Sequence, residues 1–194
     1  MISNAYGPRG TVNQLVDTGS RGLQLKRLTA VALPVTVDEA KAFMRVNHND
    51  DNTYITTLIR AMTWRIEDRA EIALSTQSIQ CEWSYVYDRI IIPRPPFVSV
   101  TSVTKYDENG VATPVTAGQY VVTGLTTIEL RFKSILGERV RIEYVAGYGN
   151  SASIPDDLKQ YILQLVFTEY KERGSVTQDM IDFVAENFKS FFVV

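Results

Sequence analysis

Ala70-Glu71-Ile72-Ala73-Leu74-Ser75-Thr76-Gln77-Ser78-Ile79-Gln80-Cys81-Glu82-Trp83 is where the apolar period of this chain changes from helical to strand-like. On its N-terminal side, Ile55, Leu58, Ile59, Met62, Ile66, Ala70 and Ala73 recur in the i, i+3, i+4, i+7 rhythm of one helix face. That predicts a long helix over about 52–74, with Arg60, Arg65, Glu67, Asp68 and Glu71 mostly on its other faces. On the C-terminal side, Ile79, Cys81, Trp83, Tyr85 and Tyr87 alternate with Gln80, Glu82 and Ser84, the period of a half-buried strand.

The period of two continues. Ile90-Ile91-Ile92 runs into Pro93-Arg94-Pro95-Pro96, where prolines remove amide donors and stop a ladder. Strands are predicted over 97–106, 119–122, 128–133 and 139–145, and Asn109-Gly110 signals a tight turn. No segment here can serve as a crossover helix, so the sheet is expected to be antiparallel. Ala146-Gly147-Tyr148-Gly149 ends it. Pro155 then opens a third helix, to about 173, at a position where its missing amide costs nothing. This helix carries one stripe of Leu158, Tyr161, Ile162, Leu165 and Val166 and a second of Leu163, Phe167 and Tyr170, so it needs cover on most sides. Gly174 terminates it, and a fourth helix is expected over about 177–191, with Met180, Phe183, Val184, Phe188 and Phe191 on one side.

Toward the N-terminus, Thr36-Val37-Asp38-Glu39 has the form of a capping box and starts a short helix to about 45. Asn47-His48-Asn49-Asp50-Asp51 breaks that helix and caps the next, its carboxylates set against the positive end of the helix dipole. Residues 1–32 have five glycines and prolines and no lasting period, and read as an extended arm. The expected fold is therefore α+β: a bundle of about four α-helices (33–74 and 154–194) with an antiparallel β module (75–150) inserted between the second and third helices.

Composition excludes several kinds of chemistry. Among 194 residues there are one cysteine, Cys81, and one histidine, His48, so neither an intrachain disulfide nor a Cys/His zinc site can be built. A Ser-His-Asp or Cys-His constellation would have to pass through His48, which sits in a polar loop. The pairs Asp50-Asp51 and Asp156-Asp157 both fall at helix starts, where capping accounts for them. Gly147-x-Gly149 follows a strand but lacks the third glycine, the lysine and the parallel context of a phosphate loop. Cys81 alternates with Ile79 and Trp83 as a core thiol. No catalytic residue, metal or cofactor is expected. No apolar run reaches the roughly 18 residues of a membrane span, and the first residues lack the pattern of a signal peptide. Synthesis and folding in the cytoplasm are expected.

Net charge is −2, so the molecule as a whole is not a basic nucleic-acid binder. The charge is uneven: Arg9, Arg21, Lys26 and Arg27 stand against Asp17 alone in residues 1–32, a net of +3. A basic arm on an acidic body is suited to a neighbouring subunit or a polyanion. The end of the chain, Phe188-Lys189-Ser190-Phe191-Phe192-Val193-Val194, is apolar, whereas chain ends are usually polar. Exposing it would forfeit several kcal/mol, at about 1.5–3 kcal/mol per side chain. Either its own core or a partner covers it.

Four segments, in this order and spacing, resemble the head-tail connector, or head-completion adaptor, proteins of tailed phages. The first is Pro34-Val35-Thr36-Val37-Asp38-Glu39-Ala40-Lys41-Ala42-Phe43-Met44-Arg45-Val46, similar to that family's opening helix. Next come the acidic linker Asn49-Asp50-Asp51 with its long helix, and Ile91-Ile92-Pro93-Arg94-Pro95-Pro96-Phe97-Val98-Ser99-Val100, similar to the family's proline-rich strand start. The last is Val145-Ala146-Gly147-Tyr148-Gly149 with Ile154-Pro155 and the third helix. The resemblance covers about 33–190 and leaves out the arm.

It implies a structural, non-enzymatic protein of the virion neck. Such a protein forms a homo-oligomeric ring, commonly of twelve subunits, beneath the portal protein. It extends the DNA channel, touches double-stranded DNA only transiently and without sequence preference, and offers a platform to the next neck or tail-completion protein. It further implies portal docking by the C-terminal segment: Phe183, Phe188, Phe191, Phe192, Val193 and Val194. Arg9, Arg21, Lys26 and Arg27 are the candidates for a subunit- or DNA-facing arm. The charge of 75–149, seven basic against seven acidic residues, agrees with a channel that must let DNA pass. Two other readings are a different neck or tail-completion ring protein and a small hydrolase or carbohydrate-binding domain built on the β module.

Overall fold

The computed structural model describes residues 23–29, 31–86, 89–124, 128–133 and 138–189. In chain order the elements are β1 (Gln24–Arg27), α1 (Val37–Met44), α2 (Asn52–Ala70), β2 (Gln77–Val86), β3 (Arg89–Ile91), β4 (Phe97–Tyr106), β5 (Ala112–Pro114), β6 (Tyr120–Thr123), β7 (Glu129–Phe132), β8 (Glu138–Ala146), α3 (Asp156–Lys171) and α4 (Gln178–Lys189). This is an α+β chain, with the strands after β1 lying between the second and third helices.

The helices start and stop for local reasons. Thr36 accepts from the Glu39 amide at 3.1 Å, and the Glu39 carboxylate accepts from the Thr36 amide at 2.6 Å, which completes the expected capping box. Left-handed Arg45 and Glu71 end α1 and α2. The second helix thus stops at Ala70, short of the expected 74. Ile72, Ala73 and Leu74 are fully buried, but as extended chain that crosses from the bundle to the sheet. Asp51 stands before α2 without capping it through its side chain, contrary to the sequence reading. It accepts instead from the Tyr170 hydroxyl at 2.5 Å, tying the start of α2 to the end of α3.

All strand pairs are antiparallel, in a five-stranded sheet of order β1-β2-β8-β4-β5 and a three-stranded sheet of order β3-β7-β6. The period of two sorts each strand. Ile79, Cys81 and Trp83 of β2 and Val140, Ile142 and Tyr144 of β8 face inward, where Ile90, Leu130 and Phe132 of the smaller sheet join them in one apolar cluster. A second cluster, built on Ile55, Ile59, Ile66, Leu158, Ile162 and Ile181, fills the bundle. The apolar breadth of α3 is explained there: Leu158, Ile162, Leu165 and Val166 are core, and Tyr161 meets Phe188 of α4 edge to face at 5.8 Å.

The arm does not extend to residue 32 as loose chain. Gln24–Arg27 adds a strand to the edge of the larger sheet, with Leu25 opposite Cys81 and Arg27 opposite Ile79. Leu23 and Leu25 are buried and alternate with Gln24 and Lys26, a period too short to stand out beside glycine-rich sequence. At the seam, Gly147 adopts φ +120°, and a Cβ there would overlap the Ser75 carbonyl. Its amide donates to the Pro96 carbonyl at 2.8 Å. The glycine serves a close backbone crossing.

Candidate interaction surfaces

The residues that could carry conventional chemistry are dispersed or occupied. His48 lies 3.7 Å from Asp50 and 3.8 Å from Asp51 in an exposed loop. Burial pushes the Cys81 thiol up to about 12, although the Tyr144 hydroxyl beside it works the other way. Tyr144, raised by the same burial, donates to the Pro93 carbonyl at 2.6 Å. Among the described residues no three His, Cys, Asp or Glu side chains converge as a metal site. Among the described residues no helix is long and apolar enough to cross a membrane.

A mostly buried polar knot lies at the seam of bundle and sheet. Glu67 of α2 was expected on an outer face and is fully buried. Its Oε1 accepts from the Leu74 amide at 2.8 Å and from Gln77 Nε2 at 2.9 Å. Its Oε2 lies 3.0 Å from Arg27 Nη2, an ion pair out of line for a hydrogen bond. Arg94, from the proline-rich segment and 4% exposed, donates to the Glu67 carbonyl at 2.6 Å and to Asp68 at 3.1 Å. Two guanidiniums thus face two carboxylates. Four separate parts of the chain meet there: β1, α2, β2 and the segment after β3. Sequence spacing gives no sign of this, because Arg27 is 40 residues from Glu67 and Arg94 is 27.

The basic arm residues divide. Lys26 is exposed on the outer side of β1. Arg27 points inward to Glu67, and its burial lowers its pKa; it belongs to the knot, which corrects its expected role as a free arm contact. Arg9 and Arg21 lie outside the described residues.

The C-terminal candidates divide too. Phe188 is 3% exposed and packs in the bundle core, a correction to its place among the docking residues. Phe183, five residues earlier, is 60% exposed. With Met180, Tyr161, Leu165 and Val184 it lines an open groove of about 370 Å³ between α3 and α4. Phe191, Phe192, Val193 and Val194 lie outside the described residues.

On another side of the bundle, aromatic rings carry cations. Phe43 of α1 meets Phe167 of α3 edge to face at 6.0 Å, and Lys171 Nζ stands 5.1 Å from the Phe167 centroid. Arg173 lies 5.3 Å from the centroid of Tyr54. A further recess of about 420 Å³, between residues 31–34 and α2, leaves Trp64 partly exposed beside Arg60.

Comparison with solved structures finds the same fold in virus-like particles. A chain from the neck of an empty gene transfer agent (GTA) particle, computed with C6 symmetry, is 23% identical, with a TM-score of 0.71 over 84% of this chain and 94% of that one. A chain from the virion of the native gene transfer agent particle is 22% identical, with a TM-score of 0.69 over the same shares. A third, from the neck of the native particle computed with C12 symmetry, is 23% identical, with a TM-score of 0.63 over 84% of this chain and 93% of that one. At these identities the likeness is one of fold. No curated protein matches the chain. The head completion protein family matches residues 34–183, from the proline before the capping box to the exposed phenylalanine of α4. With that match running unbroken through bundle and β module alike, the chain belongs to the head completion protein family.

Proposed function

We propose that this protein is a structural, non-enzymatic subunit of the virion neck. It is made in the host cytoplasm and assembles as a ring, commonly of twelve copies, under the portal protein. There it extends the DNA channel and offers a platform to the next neck or tail-completion component. The observation that carries the reading is the family match over 34–183. The apolar segment Phe191-Phe192-Val193-Val194 supports a docking role, because it continues from a helix whose last described turn is already committed to the core through Phe188. On this reading the segment seats against the portal, and Arg9, Arg21 and Lys26 contact a neighbouring subunit or passing DNA.

The deciding experiment is a cryo-EM reconstruction of the virion neck with cross-linking of this chain. Density for this chain as a ring cross-linked to the portal is expected. Its absence from the neck, or cross-links to a tail-tube protein alone, would overturn the assignment.

A further inference from the structure

We propose that neighbouring copies in the ring meet bundle to bundle, the acidic and apolar face of α4 on one subunit against the aromatic and basic face of α1 and α3 on the next. This rests on the proposed ring and assigns its subunit contact.

The two faces lie on different sides of the same bundle. Leu165 lines the α3–α4 groove, whereas Phe167 stacks with Phe43. Two residues along a helix turn about 200°, so these side chains leave α3 in opposite directions. A contact that joins one face to the other is heterologous: each copy offers a different surface to each neighbour, and repetition about a closing rotation gives a ring.

The faces are complementary in chemistry. On α4, Met180 (42% exposed) and Phe183 stand between Asp179 and Glu186. Asp182 on the same helix binds Arg69, and that arginine also feels Glu186 and, at the end of α2, Glu71. On the opposite face, Lys171 and Arg173 lie over the rings of Phe167 and Tyr54 rather than against carboxylates. Arg45, exposed at the end of α1, makes no ion pair among the described residues. Asp51, before α2, accepts from the Tyr170 hydroxyl. Aromatic surface with cations above it is the composition expected at the centre of a protein contact, where Phe, Tyr, Met and Arg are enriched. Phe183 would pack against the outer side of the Phe43–Phe167 pair, with Asp179 and Glu186 against Lys171 and Arg173. Phe183 then serves the neighbouring copy, and the portal is left to the segment beyond α4.

Charge reversal tests this with its own rescue. Two double variants, Asp179→Lys with Glu186→Lys and Lys171→Glu with Arg173→Glu, are compared with the quadruple variant that carries all four changes. Assembly is read by sedimentation velocity and native mass spectrometry, on the free protein and in the presence of purified portal rings. Each double variant is expected to weaken subunit association by roughly tenfold or more, because like charges then face each other. The quadruple variant is expected to recover most of it. Rings that form unchanged in both double variants, or a quadruple variant no better than the worse double, would overturn the contact while leaving the ring intact. A wild-type protein that forms no ring in either condition would instead overturn the ring reading, and this contact with it.

Discussion

Arg94 Nη1 donates to the main-chain carbonyl of Glu67 at 2.6 Å, from the far side of the seam between sheet and bundle. The carboxylate of the same glutamate meets Arg27. Removing the Glu67 carboxylate leaves Arg27, whose side chain is 21% exposed, without its partner in a largely buried site. Glu67→Ala is expected to cost about 3–5 kcal/mol, the range for breaking one side of a buried ion pair. Glu67→Gln, which can still accept from Leu74, is expected to cost less, about 1–3 kcal/mol. Urea unfolding monitored by circular dichroism checks both the size and the order.

Gly147 and Gly110 form a natural pair of controls. Both have positive φ, +120° and +80°, but a Cβ on Gly110 meets nothing within 4 Å, whereas on Gly147 it runs into the Ser75 backbone. Gly110→Ala is expected to cost about 1 kcal/mol for the left-handed conformation alone. Gly147→Ala is expected to cost at least about 3 kcal/mol, since conformational strain and a main-chain overlap act together. Equal midpoints for the two variants in thermal unfolding would contradict the tight crossing.

These residues also show what a sequence can disclose. The capping box at Thr36 and Glu39, the alternation of Ile79, Cys81 and Trp83, and the change of period near residue 75 are local patterns, and each element they predict is present. Glu67 looked exposed because its helical phase misses the apolar stripe. The sheet covers that phase, and the sheet's placement depends on contacts distant in sequence. Arg94 was hidden among prolines for the same reason. The strand β1 was missed because two leucines in a glycine-rich stretch are too few to establish a period; only the open edge beside β2 gives them a place. Of the surface residues, Phe183 and Phe188 have the same composition signal, and which of them faces outward follows from where α3 lies.

Cys81 provides a pH-dependent test. Burial raises its thiol from the usual range near 9 to about 12, so folding favours the neutral form. The unfolded chain therefore ionises first as pH rises above 9, and stability is lost progressively between about 9 and 12. Below that window the thiol is expected to resist alkylation by iodoacetamide for as long as the protein is folded, then to react on unfolding in urea. Rapid labelling of the native protein at pH 8 would contradict the burial. A Cys81→Ala variant is expected to flatten the alkaline decline.

Glu39 gives the opposite sign. The Thr36 amide that it accepts from holds its carboxyl below the usual carboxylate range, aided by Lys159 and offset in part by desolvation. The contribution is complete above the unfolded pKa and is lost as pH falls through the folded one. Compared with wild type, Glu39→Gln is expected to lower the unfolding midpoint at pH 7, with the gap closing below about pH 4, near the ordinary glutamate value. Thr36→Ala, which removes the hydroxyl cap, is expected to cost about 1 kcal/mol at pH 7. Parallel melting curves at pH 7 and pH 3 distinguish the two variants from a general loss of stability.

Truncation separates the two halves of the apolar C-terminus. Phe188 packs against Tyr161 in the bundle core, so deletion from Phe188 onward removes a buried aromatic and is expected to cost about 3–5 kcal/mol. The packing of Phe188 places the permissible cut later, after Lys189. Deleting 190–194 leaves Phe188 in place and, if the segment serves a partner, is expected to change unfolding free energy by no more than about 0.5 kcal/mol, the usual size of surface changes. If the segment seats against the portal, the shorter deletion will remove binding to purified portal rings while circular dichroism and the urea midpoint stay at wild-type values. Retained portal binding by a stable 190–194 deletion would assign docking to another surface. Lost stability in that variant would show instead that Phe191–Val194 complete the protein's own core.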